Sequence, residues 1–318
     1  MPQYAATLED VHAATRRIAP HAHHTPVMTC QTLNEMAGRE LFFKCEQFQK
    51  VGAFKFRGAC NAIMRLPDEI AQRGIVTHSS GNHAQALALA ARLREIPAHI
   101  VMPTSAPAIK RAAVAGYGAH IIDCESTQAA REATADRVVA ESGGTLIHPY
   151  DNSEIIAGQG TVALELLSEI ATLDAINTPV GGGRLLSGAC IAAKGMYPDI
   201  RIFAGEPQGA DDAARSMAQG ERVSNDAVET MADGLRTNLG DLTWPIIRDH
   251  VEAIITVSEE QIADAMQLLW QRAKLLVEPS AAVPLAAVLT DSFKSMDRMQ
   301  QIGIVLSGGN VDFVHPKG

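Results

Sequence analysis

The chain has 318 residues, more than one small core accommodates, so one large or two medium α/β domains are expected. It is 47% hydrophobic and 20% charged, an ordinary globular mix, and its 4% aromatic share disfavours an aromatic-rich β-sandwich. Lys and Arg number 27 against 36 Asp and Glu; the formal charge of −9 speaks against nucleic acid as a partner.

Five cysteines, Cys30, Cys45, Cys60, Cys124 and Cys190, are scattered and form no C-x-x-C. Neither a disulfide framework nor a zinc knuckle is signalled, which fits a reducing cytoplasm. No segment approaches the ~18 unbroken apolar residues of a membrane span. The first residues, MPQYAATLEDVHAATRRI, carry acids at helical spacing and do not read as a secretory signal.

In chain order, His21, His23 and His24 form a histidine-rich patch with no nearby carboxylate or cysteine, for which a structural or solvated role is expected. The first predicted strand is Leu41–Cys45. Ala53-Phe54-Lys55-Phe56-Arg57-Gly58 follows a loop and precedes a helical stretch, Gly58–Leu66. A lysine at a helix start feels the positive end of the dipole, which favours the neutral amine that an aldehyde partner requires. Taken alone, the motif more often marks a surface lysine with a packed stem.

The next strand is Gly74–Thr77. It runs into Ser79-Ser80-Gly81-Asn82-His83 and the helix Asn82–Glu95. Small hydroxyl residues at such a turn leave N–H groups outward, a site for a carboxylate or phosphate. Strands Ala98–Met102, Ala119–Asp123 and Thr145–Ile147 alternate with helices Ala108–Gly116 and Thr127–Glu141. Helix Ile156–Ile170 then leads to strand Ala175–Val180 and to Gly181-Gly182-Gly183-Arg184-Leu185. Three glycines between a strand and the helix Leu185–Met196 let backbone wrap a phosphate, although a structural turn remains open. No dinucleotide or P-loop fingerprint is present. Strands Arg201–Ala204, Ala253–Val257 and Gly303–Leu306, with helices Glu259–Lys274 and Ala281–Leu289, complete the chain. It closes on Ser307-Gly308-Gly309-Asn310, by itself only a turn.

Strand–helix alternation at this spacing implies right-handed crossovers and mostly parallel, twisted sheets flanked by helices. Residues 74–148 hold four strand signals and are expected to form a small mobile domain. It is inserted in a large domain of residues 1–73 and 149–318. The four motifs fall at the carboxyl ends of strands, where open α/β sheets bind ligands.

Together these segments resemble the serine racemase and serine/threonine dehydratase family of pyridoxal-phosphate (PLP) enzymes, fold type II. The resemblance spans nearly the whole chain and is nearest to serine racemase and the 3-hydroxyaspartate dehydratases. Thr243-Trp244-Pro245-Ile246-Ile247-Arg248-Asp249 and Glu278-Pro279-Ser280 contribute to it. It implies that Lys55 carries the cofactor and acts as base on one face of the α-carbon. Phe54 would pack beside the ring, Asn82 would bond its phenolic oxygen, and the Gly181, Gly182, Gly183, Arg184 and Leu185 backbone would hold the phosphate. Ser307 would meet the pyridine nitrogen. Ser80 would face the opposite side of the α-carbon, and the turn Ser79, Ser80, Gly81, Asn82, His83 would bind the substrate carboxylate. Arg131 and Thr237 are implied to line the substrate pocket. Glu206, the Ala210 carbonyl and Asp212 are implied ligands of Mg²⁺, or of Ca²⁺ or Mn²⁺, which suits an all-oxygen donor set.

One position departs from the family pattern. Arg184 stands where a fourth glycine is usual, and such a side chain is expected on the surface. The absence of a segment after Ser307 like the feedback domain of biosynthetic threonine dehydratases points to a catabolic or racemase role. The expected activity is dehydration and deamination of serine, threonine or 3-hydroxyaspartate; the alternative is a serine racemase with elimination as a side activity. A small amino acid as substrate, a homodimer and a nucleotide effector are the partners the resemblance implies.

Overall fold

The computed structural model describes residues 4–79, 81–106, 108–148 and 152–311. In chain order its strands are β1 (Val27–Met28), β2 (Glu40–Cys45), β3 (Ile75–His78), β4 (Ala98–Pro103), β5 (His120–Cys124), β6 (Thr145–Leu146), β7 (Ala175–Pro179), β8 (Arg201–Pro207), β9 (Ala253–Val257) and β10 (Gln301–Leu306). They form a six-stranded sheet, β1-β2-β10-β7-β8-β9, and a four-stranded sheet, β5-β4-β3-β6. Among the described residues every pairing is parallel except β1 with β2. The fold is therefore the α/β architecture expected from the strand–helix alternation.

Helices cover both faces of the larger sheet, and alternation along each strand feeds two separate cores. Ile202 and Val305 join one cluster with Val11, Ile156 and Leu186. Phe203 and Ile304 point the other way, into a cluster with Phe43, Val283 and Leu285. The four-stranded sheet shares a third cluster with Phe56, Ala59 and Ile63 of the Lys55–Arg65 helix. That helix thus packs between the two sheets. All five cysteines are buried thiols. No helix among the described residues is long and apolar enough to cross a membrane.

Glycine contacts set how closely the helices approach. A Cβ on Gly158 would meet the Cα of Gly58 at 2.6 Å, and one on Gly188 would meet Gly160 N at 2.5 Å. The Ser153–Glu169 helix therefore touches both the Lys55–Arg65 and the Arg184–Met196 helices backbone to backbone. Both neighbours begin at the same end of the sheet, so this contact fixes Lys55 relative to the three-glycine turn.

Several boundaries differ from the sequence-based expectation. β1 is too short to register as a periodic run, and it lies at the sheet edge. β8 continues three residues past Ala204, through a Gly-Glu-Pro stretch that reads as a turn; backbone pairing with β9 as far as Pro207↔Val257 holds it extended. The expected helix Glu259–Lys274 is α-helical only over Glu259–Leu268, then passes through a π turn at Leu269–Ala273 and stops at Lys274 with φ +60°.

Candidate active site

β2, β10 and β7 are adjacent and parallel, so their carboxyl ends stand side by side. This brings Lys55, Ser307 and the Gly181–Gly183 turn to one place. The backbone ties them: Phe54 N donates to Ser307 O at 3.0 Å, and Ala53 bridges Gly308. From the other sheet, β3 ends at His78 and delivers Ser79, Gly81, Asn82 and His83 to the same cavity. That cavity is about 510 Å³ and is also lined by Phe54, Lys110, Arg131, Asp233, Thr237 and Glu278. Ser80 lies outside the described residues.

Lys55 opens its helix, and its Nζ sits 4.7 Å from the centroid of the Phe54 ring. Burial pushes the amine down to about 7 from the ordinary lysine value. The Arg184 guanidinium pushes the same way, while the carboxylates of Glu278 and Asp233 act against them. A neutral amine at physiological pH is the state a carbonyl partner needs.

The glycine turn is packed too closely for side chains. A Cβ on Gly181 would meet the Leu235 backbone at 2.9 Å, and Gly183 has φ +84°, which disfavours any side chain. Gly183 is the N-cap of the Arg184–Met196 helix and makes no side-chain cap bond. The first-turn N–H groups of a helix have no acceptor within it, which is the geometry of an anion cup. One amide is already engaged: Gly182 N donates to Thr237 Oγ1 at 2.9 Å. Thr237 thus braces the turn as well as lining the cavity.

Arg184 corrects the surface expectation. It adopts helical dihedrals as the first residue of its helix, and its side chain is 7% exposed in the cavity wall. Its charge reaches both Lys55 and His83. The turn needs a positive φ at Gly183, not at position 184, so an arginine fits without strain there.

Two side chains that the sequence offers only as parts of a motif take specific places in the site. Glu278 is 4% exposed and takes the Asn82 amide on both carboxylate oxygens, at 3.0 and 3.1 Å. Asn310 N donates to it at 3.2 Å, and Asn310 Nδ2 donates to Asn82 Oδ1 at 2.9 Å. The Asn82 amide is therefore held at both ends. Burial pushes the Glu278 carboxyl up to about 7, against the bond from Asn82. A lone acid inside the apolar run Leu275–Val283 was the available signal, because an acid there must be buried with a partner. The other group is the His83 ring. It is 5% exposed, neither ring nitrogen has a hydrogen-bond partner among the described residues, and burial holds it well below its ordinary value.

The implied metal residues lie at the end of β8, outside this cavity's lining. Glu206 and Asp212 are fully buried. Glu206 accepts from Ala213 N and Ala214 N; Asp212 accepts from Asn225 Nδ2 and Leu239 N. Burial raises both acids, Asp212 to about 6 and Glu206 well above its ordinary value, and the Asp212 charge raises Glu206 further. The described residues contain no group of three or more His, Cys, Asp or Glu side chains arranged to hold a metal. The histidine patch disperses: His23 Nδ1 lies 2.9 Å from Phe48 O, and His24 Nε2 lies 3.6 Å from Glu169.

Comparison with known proteins agrees with this geometry. Residues 18–308 match the family described as pyridoxal-phosphate dependent enzyme. A serine racemase of Dictyostelium discoideum is 49% identical over 313 residues, covering 98% of this chain and 97% of the relative. A beta-hydroxyaspartate dehydratase of Paracoccus denitrificans is 47% identical over 309 residues, covering 97% of this chain and 98% of the relative. The solved structure of maize serine racemase superposes with a TM-score of 0.96 at 51% identity, covering 97% of this chain and 95% of that one.

Proposed function

The chain belongs to the pyridoxal-phosphate dependent enzyme family, and from that premise we propose that it eliminates water from a small β-hydroxy-α-amino acid to give an enamine, whose imine tautomer takes up water and releases ammonia and a keto acid. Serine, threonine and 3-hydroxyaspartate are the candidate substrates. The observation that carries this reading is the Lys55 amine, brought close to neutrality in a cavity that it shares with a glycine anion cup and Ser307.

The cavity's residues fit the cofactor. The cup at Gly181–Leu185 would take the phosphate, Ser307 the ring nitrogen, Asn82 the phenolic oxygen and Phe54 one edge of the ring. When bound, pyridoxal phosphate supplies an aldehyde for the Lys55 amine and a ring that withdraws electrons from the substrate α-carbon. Lys55 then serves as the base at that carbon. A serine hydroxyl at the ring nitrogen donates a hydrogen bond without giving up its proton. Electron withdrawal stays modest, which favours prompt loss of a β-hydroxyl. The N–H groups of the 79–83 turn would hold the α-carboxylate, and Arg131 would pair with a second carboxylate where the substrate has one. Ser80, which the resemblance would set on the opposite face, would allow racemisation as well. Serine racemisation is the second reading, favoured by the 49% identical relative of that name.

Initial rates with the stereoisomers of serine, threonine and 3-hydroxyaspartate decide between them. Keto acid is followed beside the opposite enantiomer. Keto acid as the main product supports elimination; enantiomer without keto acid makes the protein a racemase; neither product from any isomer ends both readings.

Two further outcomes are expected. In the cofactor-free protein the rate of pyridoxal phosphate capture rises with pH through about 7 and then levels. The sign follows from Lys55: burial depresses its value, so the reactive neutral form appears well below the ordinary lysine range. Capture that keeps climbing steadily through pH 9 to 10 would show an ordinary exposed amine instead. The second concerns the metal. We propose that Mg²⁺, Ca²⁺ or Mn²⁺ binds Glu206, Asp212 and the Ala210 carbonyl: burial raises both acids, and a cation beside them would offset that cost. A chelator then lowers the melting temperature by several degrees and Mg²⁺ restores it. A melting curve indifferent to both removes the metal from this account.

A further inference from the structure

Two basic side chains enter the cavity from helices packed on the four-stranded sheet. Arg131 lies on the Gln128–Ser142 helix and Lys110 on the Ala108–Gly116 helix. Arg131 Nε is buried and has no hydrogen-bond partner among the described residues. Lys110 does have one. Its Nζ lies 2.5 Å from Asp233 Oδ2, which belongs to the opposite wall of the cavity.

Asp233 begins a short turn, Asp233–Leu235, that rests on the cofactor cup. The Leu235 backbone is what a Cβ on Gly181 would strike, and Gly234 N donates to Ser280 Oγ at 3.0 Å. The Lys110–Asp233 pair thus spans the cavity, from the wall that carries the 79–83 turn to the wall that carries the cup. It is not a sealed pair: the Asp233 side chain is 44% exposed and that of Lys110 22%. Pairs so exposed contribute little net stability, so a competing carboxylate can displace one partner.

Resting on the proposed elimination reading, we propose that Lys110 is a specificity-determining residue that exchanges partners: it pairs with Asp233 in the empty cavity and with the distal carboxylate of a dicarboxylic β-hydroxy amino acid when one is bound. Asp233 acts as the internal competitor for that carboxylate. On that reading the 79–83 turn takes the α-carboxylate. A second carboxylate must find cations elsewhere in the lining, and Lys110 and Arg131 project from the same wall. Serine and threonine bring nothing to displace Asp233, so for them the pair persists.

The test uses the holoenzyme with two variants whose effects run in opposite directions. D233N removes the competitor. It is expected to tighten succinate, a non-reacting dicarboxylate, three- to tenfold in isothermal titration calorimetry. K110M removes the cation. It is expected to weaken succinate about tenfold and to raise the KM for 3-hydroxyaspartate at least fivefold more than that for serine. A variant that merely folds poorly cannot bind succinate more tightly, so D233N guards the result. Equal KM effects of K110M on both substrates, or a succinate affinity unmoved by D233N, would overturn the proposal. If no hydroxy amino acid is turned over, the elimination reading falls, while the succinate titrations still judge the partner exchange.

Discussion

Replacing Lys55 with alanine is expected to abolish the visible absorbance of the bound cofactor and to lower turnover by on the order of 10⁴-fold or more. Two roles converge on this amine. On the proposed reading it is the covalent anchor for the aldehyde and the base at the substrate α-carbon. No other lining residue can fill both roles. Lys110 is engaged with Asp233 across the cavity. Arg184 and Arg131 are guanidinium groups, which stay protonated and neither join an aldehyde nor accept a proton. The His83 imidazole is neutral and buried and could accept a proton, but it forms no lasting bond to an aldehyde. The loss should therefore appear in absorbance and kcat together, with the melting temperature of the cofactor-free variant close to that of the parent. Added small amines should restore part of the turnover. A K55A protein that stays yellow and active would remove the foundation of the functional reading.

Arg57, two residues along the same helix, should matter for stability as much as Lys55 does for chemistry. Its guanidinium is fully buried. Nε and Nη2 donate to Glu46 at 2.8 Å each, and Nη1 and Nη2 donate to Glu165 at 2.6 and 2.8 Å. Nη1 also reaches Thr161 Oγ1 at 3.2 Å. The Lys44 ammonium, equally buried, pairs with Glu165 at 2.9 Å and Glu169 at 3.1 Å. Taking away the guanidinium leaves the buried Glu46 carboxylate without its counter-ion. Breaking a buried pair from one side costs about 3–5 kcal/mol. Arg57→Leu is expected to lose that much, read as a fall in the urea midpoint at constant m. Arg57→Lys keeps the charge but not the fork, and should fall between leucine and the parent. A leucine variant within about 1 kcal/mol of the parent would mean that the network relaxes or takes up protons, as well-packed apolar replacements of buried ion pairs sometimes do.

The strand signals were legible because each strand is a short apolar run bounded by turn residues. Ala253–Val257 was read to the residue, and most other ends differ by one to three positions. The four motifs were legible for a similar reason. A lysine before a helix, serines before a cap and glycines after a strand each announce a backbone geometry that those residue types favour. What they announce is local. The surface expectation for Arg184 failed because a side chain's direction depends on what surrounds the turn, and the surroundings are supplied by distant chain segments.

The partnerships lay beyond reach for the same reason. Asn82 and Glu278 are 196 residues apart, and Lys110 and Asp233 are 123 apart. Nothing in either neighbourhood names the other. The amino-acid order alone determined the α/β class and the positions of the lysine, the glycine cup and the turns, since each of these depends on backbone preferences and hydrophobic periods within about twenty residues; the motifs in their order along the chain carried the resemblance to one enzyme family. Only the tertiary structure decided that the Lys55 amine is driven toward neutrality, that Glu278 clamps Asn82 and that Arg184 faces inward. Burial and electrostatic fields are sums over atoms from the whole chain, and they take values only once the two sheets have closed around a common cavity.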